Sequence, residues 1–184
     1  PLEVIAPHPI GRLVFRGCRI PASRRLGEEG TGFKLAMRTL DVFRTTVGGA
    51  ALGMARRALD EGLTRATVRH QFGKPIIEQQ QIAAYLADSA TDLDAARLLV
   101  FRAAHARDTS SARVSGEVAM GKLFATEAAQ RIIDRAVQIH GGLGVTRGVA
   151  VERLYREIRA LRIYEGTSEI QRVVISAGLR KRRS

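Results

Sequence analysis

Ile82-Ala83-Ala84-Tyr85-Leu86-Ala87-Asp88-Ser89-Ala90-Thr91-Asp92-Leu93-Asp94-Ala95-Ala96-Arg97-Leu98-Leu99-Val100-Phe101-Arg102-Ala103 reads as one long amphipathic helix. Ile82, Leu86, Ser89, Leu93, Ala96, Val100 and Ala103 are separated alternately by four and three positions. That spacing returns small and apolar side chains to one face of a helix, the seam of an antiparallel bundle or coiled coil. Such a face has to be buried against other helices, because most helical stability in proteins comes from packing rather than propensity.

The partners lie on both sides. Before the seam, Phe33, Ala36, Met37, Leu40, Val47, Ala51, Met54 and Ala58 form a helical stripe from about residue 32 to 69. Gly48, Gly49 and Gly53 inside it are each unfavourable by about 1 kcal/mol relative to alanine, which predicts close packing against a helix or a ligand. After the seam, Val118, Gly121, Ala125, Ala128, Ile132, Ala136 and Ile139 share one face of a helix from about 112 to 140. Gly141-Gly142 stops it as a C-cap glycine does. A shorter helix is expected over about 149–159, burying Val151, Leu154, Tyr155 and Ile158, and a last one from near Thr167 into the basic tail. The expected fold is all-α, an up-and-down helical bundle over residues 31–184.

Residues 1–30 read differently. Leu13-Val14-Phe15-Arg16-Gly17-Cys18-Arg19-Ile20 is short, partly alternating and stopped by Pro21, the pattern of a strand. Gly27, Gly30 and Gly32 punctuate the loop that follows. One strand has no independent stability, so 1–30 is expected to be the tail of a β-domain and its connecting loop.

Composition bounds the function. The chain has 184 residues, 45% of them hydrophobic and 5% aromatic, enough for a packed and mainly helical core. Its one cysteine, Cys18, excludes an internal disulfide framework and fits a reducing, cytoplasmic compartment. No apolar run approaches the ~18 residues of a transmembrane helix, and no membrane partner is expected. The start, Pro1-Leu2-Glu3, has neither an initiator Met nor a charged leader and is read as a processed chain or a fragment. The formal charge of +12 fits nucleic acid, a membrane surface or phosphorylated ligands. The arginines are dispersed, however, and only Arg180-Lys181-Arg182-Arg183 forms a block, so nucleic acid is not the expected partner. His8, His70, His105 and His140 show no ligand spacing with one another or with Cys18, and no metal is expected.

Three segments carry chemistry. Arg69-His70-Gln71-Phe72-Gly73-Lys74-Pro75 offers cations, an aromatic ring and a glycine turn to a phosphate and a planar group, but taken alone it reads first as a helix C-terminus whose Arg and His offset the dipole. Gln138-Ile139-His140-Gly141-Gly142-Leu143-Gly144 follows a helix instead of a strand, which disfavours a nicotinamide-binding fold. A C-cap explains Gly141 but not all three glycines. In Ile163-Tyr164-Glu165-Gly166-Thr167-Ser168-Glu169-Ile170-Gln171-Arg172, Ser168 and Gln171 have capping-box spacing, placing a helix start near Thr167 or Ser168. Glu165 then stands just ahead of a helix N-terminus, either as a base beside an anion-binding surface or as a charge favouring the dipole.

These motifs, in this order, together with Gly27-Glu28-Glu29-Gly30, Leu40-Asp41-x-x-Arg44 and Val151-Glu152-Arg153-Leu154-Tyr155-Arg156-Glu157, resemble the C-terminal helical domain of the acyl-CoA dehydrogenases. The resemblance covers nearly the whole chain. It implies a flavoenzyme that uses FAD to oxidise the Cα–Cβ bond of an acyl-CoA to a trans-2-enoyl-CoA, with electrons leaving to an electron-transferring flavoprotein. It implies that Glu165 removes the α-proton and that hydride passes from Cβ to flavin N5. Some branches carry the base at the position of Phe43, which cannot serve. The resemblance further implies that Arg69, Gln71 and Phe72, and separately Gln138, Gly141 and Gly142, contact the FAD of a neighbouring subunit. Thr167 and Glu169 would hold the flavin beside Glu165, while Asp41, Arg44, Tyr164 and Gly166 would face the substrate. A homo-oligomer, dimer or tetramer, or a partner dehydrogenase-like chain is implied by the shared cofactor. The family has an N-terminal helical domain and a middle β-domain ahead of this bundle, so a fragment or a subunit needing a partner is expected. The rival readings are a non-catalytic oligomerisation module and a basic, DNA-associated family member.

Overall fold

The computed structural model describes residues 1–6 and 10–181. Five α-helices account for most of them: α1 (Gly32–Val68), α2 (Gln80–Thr109), α3 (Ser115–His140), α4 (Ala150–Leu161) and α5 (Ser168–Lys181). Two short strands, β1 (His70–Gln71) and β2 (Lys74–Pro75), form an antiparallel hairpin between α1 and α2. His8 and the tail arginines Arg182 and Arg183 lie outside the described residues.

α3 is the hub and packs on α1, α2, α4 and α5. Its predicted face is buried throughout, and a second row of Ala119, Lys122, Thr126, Ala129 and Ile133 is buried beside it. A helix enclosed on several sides needs both rows. The core is rich in alanine, with Leu93, Ile132, Ile133, Ile158 and Leu161 as the larger side chains. Complete burial of each isoleucine contributes about 1.5–3 kcal/mol. Small residues let the axes approach. A Cβ on Gly48 of α1 would meet Val100 Cγ2 at 3.0 Å, and one on Gly121 of α3 would meet the Leu99 carbonyl at 3.3 Å.

Gly48 lies by Gly121, and Gly62 lies by Ala136 and Ile139, so α1 and α3 run parallel. α2 runs antiparallel to α3, since Asp92 pairs with Arg131 and the earlier Asp88 with Arg135. This is the up-and-down arrangement the α2 seam requires.

Four expectations need correction. Leu13–Ile20 forms no strand, because a strand needs a ladder partner and none is described beside it. The α1 stripe becomes buried only from Asp41 onward; Phe33 is exposed because the first turns of α1 project past the bundle. Gly48 is closely packed, but Gly49 and Gly53 point into open space on the outer face of α1. Tyr155 is 42% exposed, since α4 buries only Val151, Ile158 and Leu161 and leaves Tyr155 at the rim of a cleft with Gln138 and Arg156.

Candidate active site

The decisive segment joins α4 to α5. After Leu161 the chain turns, and Glu165 (φ 58°) and Gly166 (φ 91°) both take left-handed conformations. Glycine does so freely, but a residue with a Cβ is disfavoured there by about 1–2 kcal/mol. Glu165 is therefore held in place by its surroundings.

The holding groups are three side chains from three helices. Arg44 Nε of α1 donates to the Glu165 carbonyl at 3.0 Å. Gln171 Nε2 of α5 donates to the same carbonyl at 3.2 Å and to the Gly166 carbonyl at 2.8 Å. Lys122 Nζ of α3 donates to the Gly166 carbonyl at 2.7 Å. Each of the two carbonyl oxygens thus receives two donors. Arg44 is itself fixed by Asp41 at 3.2 Å, and Asp41 receives Arg113 Nε at 3.0 Å and Ser115 Oγ at 2.7 Å.

A second brace closes the ends of the loop. Ser168 Oγ donates to Glu127 at 2.5 Å, Arg162 Nε donates to Glu127 at 3.0 Å, and the Ser168 N–H reaches the Arg162 carbonyl at 3.2 Å. Burial alone would raise the Glu127 carboxyl. The hydrogen bonds from Ser168 and Arg162, with the Arg162 and Arg172 charges, outweigh it and hold the carboxyl below its ordinary 4.5. Helix α5 begins where expected, but its cap is Thr167, whose Oγ1 accepts the Ile170 N–H at 3.4 Å. Ser168 and Gln171 do not form a capping box, because one is turned to Glu127 and the other to the loop carbonyls.

While the backbone of Glu165 is tied down, its carboxylate is not. Oε2 is buried and has no hydrogen-bond partner among the described residues. An unpartnered buried carboxylate oxygen is unfavourable by about 1–3 kcal/mol or more, and it is the form in which a carboxylate can accept a proton from a ligand. The Glu165 charge is felt nearby. Burial and then Glu165 raise the Tyr164 hydroxyl. Burial and Arg44 pull the Lys122 ammonium down from 10.5 to about 8, with Glu165 acting the other way.

The predicted residues fall at two ends of the bundle. Glu165, Tyr164, Gly166, Thr167 and Glu169 share the loop and first turn of α5, next to Asp41 and Arg44. Asp41 and Arg44 are buried, with their polar atoms engaged in bracing the loop. Phe43 points outward, half exposed. At the far end lie the hairpin, beyond the end of α1 and ~36 Å from Arg44 along that helix, and the α3 C-terminus, ~27 Å from Lys122 along α3, both at 1.5 Å per residue. Phe72 (φ 52°) and Gly73 (φ 79°) both have positive φ, as a two-residue type I′ turn requires. This holds the Phe72 ring 92% exposed at the tip, with Arg69 and Gln71 exposed beside it. Gly141 (φ 63°) ends α3, and its N–H returns to the Gln138 and Val137 carbonyls. Gly144 is a glycine for another reason, since a Cβ there would lie 2.4 Å from the Val137 carbonyl oxygen.

Matching residues 30–180, a family model described as the acyl-CoA dehydrogenase C-terminal domain coincides with the bundle. The chain belongs to the acyl-CoA dehydrogenase family. It is 48% identical over 167 residues to the mitochondrial short-chain specific acyl-CoA dehydrogenase of Rattus norvegicus, covering 91% of this chain and 40% of that protein. It is 45% identical to the caffeyl-CoA reductase–Etf complex subunit CarC of Acetobacterium woodii, covering 92% of this chain and 45% of that one. The butyryl-CoA dehydrogenase structure from Megasphaera elsdenii superposes with a TM-score of 0.87 at 40% identity, over 90% of this chain and 43% of that one. The chain therefore spans less than half the length of these relatives. Acyl-CoA dehydrogenase family relatives are FAD-dependent flavoproteins.

Residues of this acyl-CoA dehydrogenase domain that sequence reasoning missed are Lys122, Arg113, Ser115, Glu127 and Arg162. One signal was legible for Lys122: it falls four positions after Val118 and three before Ala125, a lysine at core spacing. The others act across helices and leave no local pattern. The hairpin was hidden because Phe72 is an unusual residue at positive φ.

Proposed function

We propose that this chain supplies the base and part of the cofactor-binding surface of an enzyme that removes two hydrogens from the Cα–Cβ bond of an acyl-CoA. The observation that carries the reading is the buried, unpartnered Oε2 of Glu165 on a backbone held by Arg44, Lys122 and Gln171. Glu165 takes the α-proton onto its carboxylate, and the electron pair of that C–H bond becomes the new Cα–Cβ π bond. FAD, when bound, supplies the acceptor for the hydride that leaves Cβ. The α C–H of a thioester is a weak acid, so its removal needs a base in a water-poor site and donors for the thioester oxygen. The N–H groups of Glu165, Gly166 and Thr167 make no hydrogen bond among the described residues and are available to that oxygen.

The residues present fit a flavin dinucleotide. Phe72 offers an exposed aromatic face next to Arg69 and Gln71, and Gly141-Gly142 present backbone without side chains. These lie too far from Glu165 to serve one site, which supports contact with the FAD of another subunit in a homo-oligomer or with a partner chain. Thr167 and Glu169 would hold the flavin of the Glu165 site. A cleft of about 510 Å³ opens at Asp41 and Arg113 and is lined by Lys34, Arg38 and Arg107. Its cations suit the phosphates of CoA, in line with the +12 charge, while Tyr164 and Gly166 adjoin the acyl carbon. An electron-transferring flavoprotein is the proposed redox partner; the name of the Acetobacterium relative includes Etf. That name also reads reductase, and one base serves both directions by returning the proton to Cα.

The deciving experiment is Glu165→Gln in the FAD-loaded full-length protein. Turnover, and exchange of the acyl-CoA α-proton with deuterated water, are expected to vanish while the flavin spectrum persists. Full turnover by this variant would sink the assignment.

A further inference from the structure

Lys122 is 1% exposed and sits on the buried side of α3, among Val118, Ala119, Ala125 and Thr126. Burying an ammonium is unfavourable unless it is well paired. Its acceptor is an uncharged one, the Gly166 carbonyl at 2.7 Å, and no carboxylate among the described residues is in salt-bridge contact with it. Among the described residues, the charged groups that act on it are Arg44 from α1 and Glu165 from the loop, while α5 faces the same carbonyl with the neutral Gln171 amide. A neutral side chain would serve stability as well. The ammonium instead makes a charge-assisted bond, roughly twice as strong as a neutral one, to the carbonyl of the residue that follows Glu165.

The peptide bonds among the described residues are trans. In a planar trans peptide the C=O and N–H point opposite ways. Turning the 165 and 166 carbonyls inward onto Arg44, Gln171 and Lys122 therefore turns the Gly166 and Thr167 N–H groups the other way. Lys122 thus governs a backbone orientation as well as a contact.

We propose that Lys122 is a positioning residue for Glu165: by holding the Gly166 carbonyl it keeps residues 165 and 166 in the left-handed pair that aims the Glu165 carboxylate at its substrate. This rests on the reading of Glu165 as the base. Lys122 does not itself touch the substrate. Above a pH of about 8 the ammonium is lost, the tether weakens and turnover falls.

The test compares wild type, Lys122→Met, Lys122→Arg and Glu165→Gln in the FAD-loaded full-length protein, from about pH 6 to about pH 10. Lys122→Met is expected to lower kcat about 10- to 100-fold, as a misplaced catalytic group does, with KM and flavin content held within about twofold. Wild-type kcat is expected to decline above about pH 8; Lys122→Met loses that decline, and Lys122→Arg keeps most of kcat and moves the decline to higher pH. A purely structural lysine would alter stability and leave the pH profile alone. A flavin-independent readout is the titration of Lys122 followed by NMR of 15N-lysine. Its midpoint is expected to drop in Glu165→Gln, because the Glu165 charge raises it. Wild-type kcat and pH profile in Lys122→Met, with Glu165→Gln inactive, would overturn the positioning role alone. An active Glu165→Gln would instead overturn the reading beneath it. Should Lys122→Met fail to fold, an alkaline decline unmoved in Lys122→Arg, or an unshifted NMR midpoint, overturns the proposal.

Discussion

Replacing Gly166 by alanine tests the clamp through stability. Gly166 has φ 91°, where an L-residue is disfavoured by about 1–2 kcal/mol. The new Cβ would lie 2.9 Å from Gln171 Nε2 and 3.3 Å from Ile170 Cγ2. Gln171 is fully buried and binds both loop carbonyls, so it has no free rotamer to retreat into. Moving it loses at least one hydrogen bond, worth about 0.5–1.5 kcal/mol, and leaves a buried donor exposed to further desolvation loss. The sum is about 2–4 kcal/mol. For a chain of this length each kcal/mol moves Tm by roughly 2–4 °C, so Gly166→Ala is expected to melt about 5–15 °C below wild type by circular dichroism. Gly49→Ala is the internal control. It lies inside α1 with open space around its Cβ direction, and alanine there is expected to stabilise the helix by up to about 1 kcal/mol. Opposite signs at the two glycines are the expected result. A Gly166→Ala melting point within about 1 °C of wild type would refute the reasoning, since neither the strained φ nor the Gln171 contact would then matter.

The exposed Phe72 ring has nothing to lose within the chain, so Phe72→Ala is expected to leave Tm within about 1–2 °C. In the full-length protein the same change is expected to lower retained FAD after desalting; undiminished flavin would remove the hairpin from the cofactor surface. Glu127 is held below its ordinary 4.5, so the sign is that of a depressed carboxyl. Its contribution to stability is complete above about pH 4.5 and is lost as pH falls through its folded value. Ser168→Ala removes one of the donors responsible, so its Tm deficit against wild type is expected to be constant near neutral pH and to shrink on acidification below about pH 4.5. A deficit that stays the same to about pH 3 would show that Ser168 acts other than through the Glu127 carboxylate.

Much of this domain was written locally. The four-and-three spacing from Ile82 to Ala103, the apolar face from Val118 to Ile139 and the Gly141 stop specify α2 and α3 and their buried sides. Each depends on side chains within a few turns of one another. The same local logic placed Glu165 just ahead of a helix start. It failed where a partner was required: Leu13–Ile20 has strand spacing but no ladder, and Tyr155 has core spacing but sits where α4 reaches the rim. It also misread Ser168 and Gln171, whose capping-box spacing is real but whose side chains find better partners in Glu127 and the loop carbonyls.

Only the tertiary structure decided what surrounds Glu165. Arg44 is 121 positions from it in sequence, and Lys122 is 44 from Gly166. Their convergence depends on α1 and α3 running parallel at close approach and on α5 folding back across α3. A sequence specifies its helices through short-range periodicity, but it brings distant groups onto two carbonyl oxygens only through packing. The left-handed pair at 165–166 is disfavoured locally and persists because buried donors from three helices outweigh that preference together.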